Sequence, residues 1–148
     1  MSIALFVHLA AAVIWVGGMF FAYVCLRPAA ATVLEAPSRL QLWRAAFTRF
    51  FPWVWGAVIV LPLSGYWMLF RLGGFADAGI HIHIMHALGI IMILVFLHIY
   101  FAPYRRLQRA VDTEDYPTAG RQLNLIRKLV ATNLTLGLLV LAAVRLLR

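Results

Sequence analysis

The chain of 148 residues is 64% hydrophobic, 14% aromatic and only 12% charged, and it carries a formal net charge of +8. This composition excludes an ordinary soluble domain and predicts a membrane protein. The single cysteine, Cys25, excludes an intramolecular disulfide, an iron–sulfur cluster and covalent haem attachment through a Cys-x-x-Cys-His motif.

The first apolar run extends from residue 3 to residue 26 without a charge. It exceeds the roughly 20 residues that a helix needs to span a bilayer. No basic residue precedes it, as a cleavable signal peptide would require, so we expect it to remain as a transmembrane helix. After it, segment 37–51 spaces its apolar residues at helical intervals and predicts an amphipathic helix on the inner membrane surface.

Three further apolar runs follow, at about residues 53–70, 80–101 and 123–147. The polar segment 104–122 between the last two predicts a solvated turn. We therefore expect an all-α integral membrane four-helix bundle that forms a single domain over residues 1–148.

Basic residues predict the orientation of the bundle, because positive charge is retained on the cytoplasmic side of a membrane. Ten of the thirteen lie in the first-to-second and third-to-fourth connections: Arg27, Arg39, Arg44, Arg49, Arg105, Arg106, Arg109, Arg121, Arg127 and Lys128. The others are Arg71, Arg145 and Arg148. We therefore expect both termini on the outer, periplasmic side of a bacterial inner membrane.

A histidine-rich stretch opens the third span, with His81, His83, Met85 and His86 within six residues. Polar side chains inside a membrane are costly, which indicates a ligand site, although a cluster that only caps the helix is the plainer alternative. On a helix His83 and His86 lie about 60° apart, whereas His81 points roughly 160° to 220° away from His83. At most two of the three histidines can therefore serve one site.

The depths of the histidines indicate which of them can meet. At 1.5 Å per residue His8 lies about 7 Å inside the first span, while His83 and His86 lie about 4 and 9 Å inside the third. We therefore predict one metal held by His8 and His86, with His83 as the competing ligand. His98 lies near the other end of the third span and has no histidine at its depth.

Two cofactors suit these ligands, haem b and copper. Haem is favoured by apolar, aromatic surroundings and by Arg71, Arg145 and Arg148, which could pair with propionates. Trp15 lies two turns from His8 on one helix face and could form a wall of the pocket, or it could simply fill the core. Copper is favoured by Met85 within the cluster, because thioether and imidazole together suit Cu(I). The other methionines considered as copper ligands are Met19, Met68 and Met92.

The first helix, HLAAAVIWVGGMFF over residues 8–21, resembles the opening helix of the copper resistance protein D (CopD) family. It is also similar to HemJ-type protoporphyrinogen oxidases, which are compact four-helix membrane proteins. The resemblance implies an inner-membrane protein linked to copper uptake or haem chemistry, with His8 as a ligand. HemJ-type enzymes carry a functional lysine in the third span, and residues 80–101 contain none.

Together these features predict a membrane protein that binds one b-type haem and transfers electrons to a quinone or a periplasmic redox partner. Whether it is an enzyme, such as a haem-dependent oxidoreductase, is left open. The alternative is CopD-like copper transport through His81, His83, Met85 and His86, and the third is a cofactor-free assembly factor. The bilayer is the expected environment and a homodimer is compatible with the sequence. Nucleic acid is excluded because no soluble basic face exists.

Overall fold

The computed structural model describes residues 1–147 and consists of four long helices. They extend over Ser2–Val33, Ala36–Arg71, Ile80–Asp112 and Tyr116–Leu146, and each is long and apolar enough to cross a membrane. The described residues contain no strand. The prediction of an all-α four-helix membrane protein is therefore confirmed. We refer to these elements as the first to the fourth helix.

Two of the helices widen locally where a proline interrupts their hydrogen bonding. The first helix is π-helical over Phe21–Leu26, which ends two residues before Pro28, and the third is π-helical over Tyr100–Tyr104, which includes Pro103. Proline has no N–H to donate and its ring clashes with the carbonyl four residues earlier. A π-helical turn accommodates this disruption without ending the helix.

The second helix runs without a break through the segment that the sequence predicts as an amphipathic extension on the membrane surface. Residues 37–51 continue directly into the span, with Pro52 and Pro62 inside one helix of 36 residues. The apolar face of this segment is buried in the bundle and not against the membrane surface; its buried members are Leu40, Trp43, Phe47 and Phe51. The predicted amphipathic helix is therefore present, but its apolar stripe packs on neighbouring helices and not on the membrane surface.

The predicted solvated turn over residues 104–122 is also mostly helical. The third helix continues to Asp112 and the fourth begins at Tyr116, so three residues connect them. The Asp115 side chain caps the fourth helix by accepting a hydrogen bond of 3.3 Å from the backbone N–H of Thr118. Hydrogen bonding from the Thr118 side chain, and next from its backbone N–H, keeps the pKa of the exposed Asp115 carboxyl below its usual value.

Short connections make consecutive helices antiparallel, with the first helix packed mainly on the second and the third mainly on the fourth. The connections 34–35 and 113–115 therefore lie at one end of the bundle, which we call the arginine end. The N-terminus and the connection 72–79 lie at the other, the histidine end. An ion pair between Arg44 and Asp112 joins the second and third helices at the arginine end.

The bundle interior near the arginine end is aromatic. Phe51 stacks on Phe47 with ring centroids 5.0 Å apart and meets the edges of Tyr104 and Phe96. The outer surface, by contrast, exposes large apolar side chains, which include Ile3, Phe6, Val13, Trp53, Leu63 and Phe70. An outward apolar surface of this kind is stable in lipid and not in water.

Candidate functional site

A cavity of about 170 Å³ lies among the helices toward the histidine end. Four of the side chains that line it can ligate a metal: His8, Met85, His86 and Met92. They come from the first and third helices, and the second and fourth helices complete the walls. We call this space the histidine cavity.

His8 is held in a defined orientation by the second helix. Its Nδ1 lies 2.9 Å from the Ser64 hydroxyl oxygen, and that hydroxyl lies 2.6 Å from the carbonyl oxygen of Val60. With the single hydroxyl hydrogen donated to Val60, we assign the N–H of His8 to Nδ1 and Ser64 as its acceptor. In this tautomer the Nε2 lone pair of His8 is free to bind a metal.

His86 reaches the same cavity from the third helix. Its ring packs against the rings of Tyr66 and Phe75 with centroid distances of 5.4 and 5.1 Å. Phe75 begins a short 3₁₀ turn after Gly73 and Gly74, which both have positive φ and so form the tight connection from the second helix. The two histidines predicted to share a site thus line one cavity.

Two methionines add sulfur to the cavity. Met85 and Met92 are seven residues apart, so they lie about 20° apart on one face of the third helix, two turns from each other. Met92 is buried at 5% exposure, and Met85 is half-buried. The cavity therefore offers both imidazole nitrogen and thioether sulfur.

The other two histidines of the stretch lie elsewhere. The ring of His81 folds back over Gly79, where an added Cβ would lie 2.8 Å from its Nδ1. His83 is exposed and stacks on Phe75 with centroids 5.8 Å apart. Neither lines the histidine cavity. Within residues 1–147, no group of three or more His, Cys, Asp or Glu side chains could hold a metal.

The arginines predicted to pair with propionates lie outside the cavity as well. Arg71 is exposed, and its guanidinium lies 5.0 Å from the ring centroid of Trp67. Arg145 is exposed near the end of the fourth helix, and Arg148 lies outside the described residues. His98 is exposed and does not line the cavity either.

Trp15 is 3% exposed and forms part of the wall of the histidine cavity. It also lines a second, larger cavity toward the arginine end, so its indole lies between the two spaces. Its ring meets the edge of Phe96 at a centroid distance of 6.3 Å. Trp15 therefore both fills the core and forms part of the wall of the predicted pocket.

Sequence reasoning missed Ser64, and it counted Met92 in favour of copper without placing it in this site. Ser64 is the one polar side chain in the apolar run 53–70, and its distance from the end of that run matches the depth of His8. Met92 could have been grouped with Met85 from their seven-residue spacing alone. Thioethers are soft ligands, and together with imidazoles they form a donor set that suits Cu(I).

Comparison with known proteins identifies one family. The family model described as copper resistance protein D matches residues 44–147. No curated protein and no solved structure matches the chain. The matched range contains Ser64, Met85, His86 and Met92 but not His8. The first helix, on which the sequence resemblance was based, thus lies before the matched residues.

Proposed function

The chain belongs to the copper resistance protein D family, and from this premise we propose that it binds copper within the membrane and passes it on. One Cu(I) ion binds in the histidine cavity, with His8 and His86 as imidazole ligands and Met85 as a thioether ligand. Met92 is a second thioether lining the same space. Copper is the cargo in this proposal and not a resident cofactor.

The hydrogen bond from His8 to Ser64 is the observation that carries the proposal. Metal-binding histidines usually donate their second ring N–H to a fixed acceptor, which orients the ring and selects the tautomer. The 2.9 Å contact of His8 with Ser64 supports this arrangement, since a hydroxyl that donates to Val60 accepts from Nδ1 and leaves Nε2 as the ligand atom. His8 also lines the same cavity as another imidazole, His86, and two thioethers, Met85 and Met92, which is the donor set that a Cu(I) ion would use.

Copper accounts for the cavity better than haem b, the first hypothesis from the sequence. The description of the matched family names copper and does not name haem. The cavity of about 170 Å³ is also small, since pockets for drug-sized ligands occupy roughly 300–1,000 Å³. Arg71, which was predicted to pair with a propionate, does not line it. Nothing observed supports haem-based electron transfer.

The four spans and the family make the chain a multi-pass membrane protein, in agreement with the predicted inner membrane. We further propose that the arginine end faces the cytoplasm, because ten basic residues lie in the connections and helix ends of that side. The histidine cavity would then lie in the outer half of the bilayer. Copper would meet His8 and His86 from the periplasmic side.

The test is a Cu(I) titration of the purified protein without oxygen, against a coloured chelator that competes for the ion. We expect one ion per chain, and X-ray absorption should show both nitrogen and sulfur around copper. His8→Ala and His86→Ala should each weaken binding by at least about tenfold. His83→Ala is the matched control, because it removes an exposed imidazole from the same helix and should leave affinity close to wild type.

Three results would overturn the proposal. A Soret band with stoichiometric porphyrin and no copper would favour the haem hypothesis. Equal losses in His83→Ala and His86→Ala would point to a surface site built from the histidine stretch. Absence of both copper and porphyrin binding in folded protein would favour a cofactor-free assembly factor.

A further inference from the structure

A second cavity, of about 350 Å³, lies toward the arginine end and is distinct from the proposed copper site. Three arginines from different parts of the chain line it: Arg27, Arg39 and Arg127. We call them the arginine trio and the space the arginine cavity. Its other walls are mainly apolar and aromatic, and they include Trp43, Phe47 and Phe51.

The arginine trio carries three positive charges without a carboxylate partner. Each member is half-buried, and the single salt bridge within residues 1–147 joins other side chains. Arg27 donates from Nε to the carbonyl oxygen of Tyr23 at 3.3 Å and lies 4.7 Å from that tyrosine ring. Neither contact neutralises the positive charge of Arg27. Partly buried cations that share one cavity are stabilised by an anion placed between them.

The deep end of the arginine cavity contains a buried amide. Asn133 is 1% exposed, and its Nδ2 donates to the carbonyl oxygen of Met92 at 3.0 Å. Its Oδ1 has no hydrogen-bond partner within the described residues. Asn133 follows Arg127 by six residues on the fourth helix, so it lies about 9 Å deeper. A buried acceptor of this kind is usually satisfied by an ordered water, so the orphaned Oδ1 indicates a water at the deep end of the cavity and not a contact with an acyl chain.

We propose that the arginine cavity binds an anionic phospholipid. Its phosphate lies among the arginine trio and accepts their N–H groups, and one acyl chain follows the aromatic wall inward. The location favours a lipid, because arginines at the ends of apolar spans lie where phosphate headgroups are found. Charge also argues against a passage for copper here, since three arginines repel a cation. Trp15 separates this site from the histidine cavity.

Native mass spectrometry of the detergent-purified full chain tests the proposal, with added phosphatidylglycerol, phosphatidylcholine or inorganic phosphate. We expect one phosphatidylglycerol molecule to stay bound to each chain at a collision energy that dissociates phosphatidylcholine. Changing all three members of the arginine trio to Gln should lower its retention more than tenfold, since each basic residue contributes about fivefold near anionic lipid. The matched control changes three exposed arginines of the same end to Gln, namely Arg49, Arg106 and Arg109, and should retain the lipid.

Equal retention of both lipids would overturn the proposal, as would equal losses in the control and in the trio variant. If inorganic phosphate saturates the arginine cavity and prevents phosphatidylglycerol from binding, the cavity is a phosphate site instead. Should the trio variant not fold, wild-type protein in brominated lipids provides the second measurement. Brominated phosphatidylglycerol should quench tryptophan fluorescence more than brominated phosphatidylcholine, and replacing both tryptophans that line the cavity, Trp15 and Trp43, by Phe should remove most of that difference. No difference in the wild type would contradict the proposal.

Discussion

The hydrogen bond between His8 and Ser64 predicts how a substitution outside the proposed copper ligands changes Cu(I) affinity. Ser64→Ala removes the oxygen that lies 2.9 Å from Nδ1 of His8. The N–H at Nδ1 then has no acceptor, and the ring can rotate or exchange its proton to Nε2. Either change lowers the fraction of protein in which the Nε2 lone pair is directed into the cavity.

The size of the effect follows from the kind of contact that is lost. Removing a group that orients a metal ligand costs about 10- to 100-fold in metal affinity, or about 1.4–2.8 kcal/mol. A neutral side-chain hydrogen bond contributes only about 0.5–1.5 kcal/mol net. Serine and imidazole are both neutral here, so we expect Ser64→Ala to weaken Cu(I) binding by about tenfold, less than His8→Ala.

Competition titration with Cu(I) measures this loss, and Thr135→Ala is the matched control. Thr135 also lies in a span, and its hydroxyl donates to the carbonyl of Ala131 at 2.9 Å, but it does not line the histidine cavity. Its loss should leave Cu(I) affinity unchanged. The double variant of His8→Ala and Ser64→Ala should bind no more weakly than His8→Ala alone, because Ser64 acts through that ring.

Wild-type affinity in Ser64→Ala, together with a large loss in His8→Ala, would refute the orienting role of the serine. Additive losses in the double variant would show that Ser64 affects copper by a separate route. Either result would be compatible with His8 as a ligand. It would remove the evidence that Ser64 fixes the tautomer in which Nε2 binds copper.

Two other predictions concern topology and the cap of the fourth helix. In a Cys25→Ser background, an impermeant thiol reagent added to intact cells should label Ala76→Cys and not Thr113→Cys; the reverse pattern would invert the proposed orientation. Hydrogen bonding to Thr118 lowers the pKa of Asp115 in the folded state, so its stabilising effect is present above the unfolded pKa and is lost as pH falls through the folded pKa. Asp115→Ala should therefore lower the thermal midpoint at neutral pH but not in strong acid, and an equal decrease at both would contradict this sign.

The sequence alone determined the class of the molecule and its four spans. Transmembrane helices are recognisable because the bilayer requires a continuous apolar run of a set length, which is a local property. The depths of His8 and His86 also follow from position along a span, since the rise per residue is constant. Both histidines indeed line one cavity. The copper alternative, based on Met85, was also available at this level.

The tertiary structure decided which side chains share a cavity and which face away. Helix rotation and partner choice depend on packing between helices, so a one-dimensional pattern could not pair His8 with Ser64 or place His83 outside the lining of the cavity. The arginine trio is a second example. In the sequence its members indicate only the orientation of the bundle in the membrane. Packing of the first, second and fourth helices brings them to one cavity, because residues distant in the chain become neighbours only when the bundle closes.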